Sequence, residues 1–299
     1  MSIERKIEYN KRQSSKYGWT PEDFGADEFD AELINQIMRF QELEGLDVDG
    51  YAGPSTYRRL VTVQEADKES VPGDEHIIID GKKVQIHWKN VIVWNEEGGK
   101  KASKGHFSSY EGKKDRDIKF FVTHWDVCLS ANSCYKVLEK RGISVHFGID
   151  NDGTIYQWVD LKNAAWHAGG RSWNHSSVGV EISNAYSPKY QAHYQKRYGA
   201  RPVWEGVKVH GKSLKPFLGF YDVQIAALAA LWEAVSRACG IPLVIPDGPD
   251  AVYGPAADNN WRGFLSHFHL KRGKIDCAGL DHQHVLNEAK RIREEHEAQ

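Results

Sequence analysis

Three separated segments of this 299-residue chain carry residue types that hold a metal ion. Val122-Thr123-His124-Trp125 ends an apolar run with the pattern of a buried strand. Far downstream come Leu265-Ser266-His267-Phe268-His269-Leu270 and then Lys274-Ile275-Asp276-Cys277. Two imidazoles with one carboxylate or thiolate make a three-ligand zinc site. Such a site leaves its fourth position to water, whose pKa the metal lowers to about 7. The chemistry implied is metal-assisted hydrolysis. On the residues alone, His267 competes with His269 for one ligand position and Asp276 with Cys277 for another.

A rigid frame must bring these segments together. Ser144 to Trp158 reads as two strands about an Asn151-Asp152-Gly153 turn, a strong hairpin signal. His76 to Val84 reads as a second hairpin around Asp80-Gly81, and Val91 to Trp94 as a short strand. Tyr221 to Cys239 has the spacing of a helix, with Leu228, Leu231 and Val235 on one stripe and Gly240 as its stop. His282 to Glu297 reads as a charged terminal helix. These elements predict an α/β domain: a central mixed β-sheet flanked by helices, with the zinc in a surface groove.

Two further segments complete the pattern: Ala165-Trp166-His167-Ala168-Gly169, and Asn174-His175-Ser176-Ser177-Val178-Gly179-Val180-Glu181. In this order and spacing, the blocks over roughly residues 115–290 resemble the zinc-dependent N-acetylmuramoyl-L-alanine amidases of the type 2 amidase family. Peptidoglycan-recognition proteins share that fold. The resemblance implies His124, His267 and Asp276 as zinc ligands. Leu270 falls at the expected offset from His267, and the Lys-x-ligand spacing selects Asp276. It implies Glu181 as the group that accepts the water proton and passes it to the leaving amine, and Lys274 as the cation that stabilises the oxyanion. Trp166, His167 and Asn174, with His146, are expected to bind substrate. His146 alternates with Val145 and Phe147, so it either faces the cleft or bonds within the sheet. Some members carry a tyrosine where this chain has Val145. The implied reaction cuts the amide between N-acetylmuramic acid and L-alanine of the peptidoglycan stem. A non-catalytic muropeptide-recognition protein and a zinc peptidase acting within the stem are the alternatives. Cys128 and Cys134 resemble a disulfide position of the recognition proteins, and reduced thiols are expected at synthesis.

The N-terminal stretch has its own logic. Leu33, Ile34, Ile37 and Phe40 share a helical face. Phe40-Gln41, Asp49-Gly50 and Gly53-Pro54-Ser55-Thr56 resemble the signature of a small three-helix peptidoglycan-binding domain. The expected organisation is a binding domain over 1–65, a charged linker over 66–75 and the zinc amidase over 76–299. Between Asn184 and Asp222, Tyr186, Tyr190, Tyr194 and Tyr198 recur every fourth residue among seven Lys/Arg. They are read either as packing or as a basic, aromatic groove wall.

Composition limits the setting. With 40% apolar and 27% charged residues and a net charge of −2, the chain is neither a membrane span nor a globally basic nucleic-acid binder. Met1 to Lys6 shows no apolar signal-peptide core. The expectation is a monomer made in a cytoplasm that reaches the cell wall by another route, as a phage endolysin does.

Overall fold

A computed structural model describes residues 2–57, 59–60 and 76–297. Its contacts divide the chain into two units, Met1–Glu69 with Lys189–Ala200, and Ser70–Pro188 with Arg201–Gln299. The linker expected at 66–75 lies outside the described residues. Lys189–Ala200, expected inside the catalytic domain, instead belongs to the first unit.

In the first unit, helix α1 (Ile3–Tyr17) stops at Gly18, which takes the left-handed φ of 78°. Helix α2 (Ala31–Leu43) starts at Asp30, whose carboxylate accepts the Leu33 N–H at 3.1 Å. Residues 54–57 and 59–60 are also helical. Leu33 and Ile37 pack with Trp19, Phe24 and Leu60. The signature residues meet through one amide. Gln41 accepts the N–H groups of Asp49 (3.0 Å) and Gly50 (2.8 Å) and donates to the Asp49 carboxylate (2.8 Å) and Thr56 hydroxyl (3.1 Å). A buried amide with its donors and acceptors used fixes the loop that follows α2. The helix Gln191–Arg197 supplies Tyr194, which is fully buried. It also brings His193 and Arg197 to Glu44, whose carboxylate already holds Arg59 at 3.0 Å.

The second unit is built on six strands: β1 (Val91–Val93), β2 (Phe120–Trp125), β3 (Phe147–Ile149), β4 (Ile155–Gln157), β5 (Ser177–Ile182) and β6 (Gly263–Ser266), in the order β6-β2-β5-β3-β4-β1. Only β3 and β4 pair antiparallel, through the expected Asn-Asp-Gly turn, where Gly153 takes φ 83°. The other pairs are parallel, so the sheet is mixed as expected. The hairpin about Asp80-Gly81 also forms, with both residues at positive φ.

Side chains alternate across a strand. Phe121, Val178, Val180 and Phe264 therefore share one face, packed by helices α5 (Asp222–Cys239) and α6 (His282–Glu297). Leu228 and Leu231 of α5 are wholly buried there, and a Leu so placed contributes ~1.5–3 kcal/mol. Phe120, Val122 and His124 point to the opposite face. That face is lined by Leu265, Leu270 and Ala168, and by helix α3 (Ala131–Arg141) further along the sheet. Helix α4 (Arg171–Ser176) leads directly into β5. Among the described residues no helix is long and apolar enough to cross a membrane.

Candidate metal centre

Strand register brings the site together. His124 is the fifth residue of β2 and lies opposite Glu181 of β5. Ser266, the last residue of β6, lies opposite Thr123, so the next residue, His267, arrives beside His124. The chain then makes a single turn, His267–His269, and loops back to Asp276, whose carbonyl accepts the Phe268 N–H at 3.1 Å. The segment 203–218, part of the 184–222 stretch read as packing or as a groove wall, braces this loop. His210 donates through Nε2 to the Lys274 carbonyl at 2.8 Å. Trp204 presses on Gly279, where a Cβ would sit 2.8 Å from its ring.

The expected ligands converge. His124, His267 and Asp276 each offer one donor atom, all within 4.8 Å of one another. His124 Nδ1 lies 2.9 Å and His267 Nδ1 3.1 Å from the same Asp276 oxygen, Oδ2. Tetrahedral zinc with bonds of ~2.0–2.2 Å spaces its donors about 3.3 Å apart. His269 is turned away. Its Nδ1 accepts the Ser266 N–H at 3.1 Å, and its ring lies 5.4 Å from that of His282. Cys277 is buried outside the cluster, and the buried thiols Cys128 and Cys134 are not joined by a disulfide.

Whether this cluster suits a metal is decided by where the protons sit. The Ser177 hydroxyl donates to the Trp173 carbonyl at 2.7 Å, so towards His167 Nε2, 3.2 Å away, it can only accept. Nε2 of His167 therefore carries the proton and Nδ1 is its acceptor. That acceptor faces His124 Nε2 at 3.0 Å, so His124 is protonated on Nε2. Burial holds both rings neutral: His124 is pushed down to about 4, burial acting first and His267 second, and His167 is pushed well below the usual histidine range. Neutral His124 then presents a bare lone pair at Nδ1 to a carboxylate oxygen 2.9 Å away. Two acceptors that close repel unless a cation lies between them. His267 Nε2 is likewise buried without a hydrogen-bond partner. A nitrogen, nitrogen, oxygen set of this kind fits zinc.

The other expected residues divide. Glu181 Oε2 is buried with no hydrogen-bond partner. Burial first, then the carboxylates of Asp126 and Asp276, push Glu181 well above the usual range, while the positive charge of Lys274 opposes them. Trp166 and Asn174 line a cavity of about 350 Å³ with Ser108, Gly170, Arg171 and His175. Asn174 also accepts the N–H groups of His167 (3.1 Å) and Ala168 (2.7 Å) through Oδ1. His146 does not reach a groove wall. It is fully buried, its Nδ1 accepts the Gly179 N–H at 3.1 Å, and its Nε2 lies 3.0 Å from the Asn163 carbonyl. Both nitrogens are spent on backbone, so the within-sheet alternative describes it. Sequence reasoning passed over Arg116. Its guanidinium gathers the carbonyls of Leu161 (2.8 Å) and Ser177 (2.6 Å), the two ends of the segment that carries Trp166 and His167. Its partners are distant backbone carbonyls and the His146 ring, 3.1 Å from its guanidinium, which leaves no local motif.

Residues 114–254 match the family model described as N-acetylmuramoyl-L-alanine amidase, and residues 14–60 the one described as putative peptidoglycan binding domain. The first match ends before His267 and Asp276, which rest on the sequence pattern and on the geometry. No curated protein matches the chain. Among solved structures, a mutant endolysin from Bacillus subtilis is 17% identical, with a TM-score of 0.41 over 67% of this chain and 98% of that one. The N-acetylmuramoyl-L-alanine amidase LysC from Clostridium intestinale is 15% identical, with a TM-score of 0.37 over 67% and 97%. A Staphylococcus aureus hydrolase, AmiA, in complex with its ligand is 12% identical, with a TM-score of 0.40 over 68% and 84%. The chain thus carries an N-acetylmuramoyl-L-alanine amidase domain, preceded by a putative peptidoglycan binding domain.

Proposed function

We propose that the chain is an endolysin-like peptidoglycan hydrolase that cuts the amide between the lactyl group of N-acetylmuramic acid and L-alanine of the stem peptide, with zinc held by His124, His267 and Asp276. The observation that carries this is the meeting of those three donors beside an unpartnered carboxylate, Glu181, and within the field of Lys274. When bound, zinc supplies Lewis acidity towards water and the scissile carbonyl. Glu181 faces its task with one oxygen free and with a raised proton affinity. It takes the proton of the attacking water and passes it to the departing alanine nitrogen. The Lys274 ammonium offsets the negative charge that develops on the carbonyl oxygen. Trp166 and Asn174 line the cavity in which part of the muropeptide lies.

Purified wall digested with the protein separates the readings. An amidase frees the amino group of stem L-alanine and leaves intact glycan strands, both visible by mass spectrometry. New termini within the stem would instead make it a peptidase, and the absence of any product would make it a binder. Glu181→Gln is expected to keep its zinc and lose ~10²–10⁴-fold in kcat, the usual worth of a positioned general base.

A further inference from the structure

His167 was expected to touch substrate, but its ring nitrogens are engaged inside the protein. Nδ1 takes the His124 Nε2 proton at 3.0 Å, and Nε2 gives its own proton to the Ser177 hydroxyl at 3.2 Å. Ser177 in turn donates to the Trp173 carbonyl at 2.7 Å. The direction of every bond in this chain is set from its far end, because a carbonyl only accepts. The backbone makes room for it. A Cβ on Gly179 would stand 2.4 Å from His167 Nδ1, so the imidazole lies flat against a position on β5 that only glycine leaves open. Gly179 and Glu181 are two residues apart on one strand face. The Gly-x-Glu spacing therefore has two physical duties: the glycine seats the imidazole behind the ligand, and the glutamate faces the reacting centre.

We infer that His167 and Ser177 are positioning residues for the metal: a directed hydrogen-bond relay, Trp173 carbonyl to Ser177 to His167 to His124, locks His124 with its proton on Nε2 and its lone pair on Nδ1. The inference rests on the reading of His124 as a metal ligand. A ligand imidazole whose outer nitrogen is anchored in this way needs no tautomer change or reorientation when the metal enters, and it is a better donor for giving part of its N–H bond to an acceptor. His146, whose ring centre lies 5.8 Å from that of His167, is held by backbone and closes off the other side.

The test measures zinc affinity by competition with a chromophoric chelator, independently of wall lysis. Loss of an outer partner of a metal ligand typically weakens binding about 10–100-fold. His167→Ala and Ser177→Ala are expected in that range, and Gly179→Ala with them, because its methyl displaces the ring. His167→Asn keeps an acceptor near the Nδ1 position and is expected to recover most of the affinity. A simple loss of packing would not be rescued by the smaller side chain. On the unmutated protein, long-range ¹⁵N–¹H spectra of the zinc-loaded form should show the His124 proton on Nε2. Zinc affinity unchanged in His167→Ala, or a His124 proton on Nδ1, would overturn the relay. If the unmutated protein binds no zinc, the metal reading itself fails, and that outcome is distinct from the other two.

Discussion

Each unit of this protein buries a carboxylate among nitrogen bases, and the two clusters end in opposite states. In the first unit, Glu44 holds Arg59 at 3.0 Å and His193 at 3.1 Å, with Arg197 3.7 Å away. Two of these partners are guanidiniums, charged at any physiological pH. Burial alone would raise the Glu44 pKa, but the hydrogen bonds from His193 and Arg59 and the charges of both arginines hold it at about 2. The cluster is electrostatically closed. In the second unit Asp276 meets two imidazoles, and at least His124 is neutral and turns a lone pair towards it. Among the described residues Asp276 pairs with imidazoles only, and no guanidinium or ammonium contacts it. The same carboxylate chemistry becomes a structural tie when its neighbours carry permanent charge, and a donor fit for a cation when they carry lone pairs.

The comparison can be broken most forcefully at the metal. His124→Ala, His267→Ala and Asp276→Ala should each abolish bound zinc by elemental analysis and reduce muropeptide hydrolysis to background, and a chelator should do so reversibly. His269→Ala should keep its zinc. Zinc lost from His269→Ala but retained in His267→Ala would move the ligand by two residues. Next in size is stability. Glu44→Ala strips a buried carboxylate from two arginines and should cost the first unit about 3–5 kcal/mol in chemical denaturation. Asp276→Asn should cost the zinc-free protein almost nothing, since it replaces an acceptor that faces an acceptor. Equal losses in both variants would erase the distinction drawn between the clusters.

Acid provides a graded version. Burial, ahead of its other neighbours, lowers the His193 pKa, and Glu44 is lowered to about 2. Both folded-state values lie below the unfolded ones, so both contributions are complete above the unfolded pKa and fade as pH falls. Loss should begin below pH ~6.5 as the unfolded histidine takes a proton, and grow from ~4.5 towards ~2 as the unfolded glutamate does the same. The denaturation midpoint of the Glu44→Ala protein should be flatter across the lower window. The smallest effect is expected at His210. Removing its bond to the Lys274 carbonyl with His210→Ala should lower kcat ~2–10-fold, the worth of one neutral hydrogen bond, without loss of zinc.

Much of the catalytic frame was legible because local signals and tertiary structure agree. The apolar run ending at His124, the Asn151-Asp152-Gly153 turn and the Gly240 stop each carry their geometry in adjacent residues. His267 and Asp276 were singled out only through the family resemblance, since the residues alone left His269 and Cys277 as competitors. What escaped depends on partners far along the chain. His146 is structural because of Gly179 and Asn163, 33 and 17 residues away. The brace over 203–218 is made of two-residue strands, too short to show periodicity. Helix α1 buries only Asn10 completely, so it has almost no apolar stripe to announce it. Of the four regularly spaced tyrosines only Tyr194 lies within the helix Gln191–Arg197, and such spacing carries no address. Tyr194 is buried within the first unit.

That last placement changes what it means to remove the binding module. The chain enters the first unit at its beginning and enters it again at Lys189, leaving at Ala200. A protease that nicks the chain between the two described stretches, 60 and 76, would cut one covalent connection and leave the fragments joined by the helix Gln191–Arg197, through its buried His193 and Tyr194 and its ion pairs. They should co-elute on a sizing column until denaturant separates them. For the same reason, deleting the first 75 residues would not excise a module. It would strand Tyr194 and His193 in water without their shell, and a gene-level exchange of binding specificities would have to move two segments rather than one.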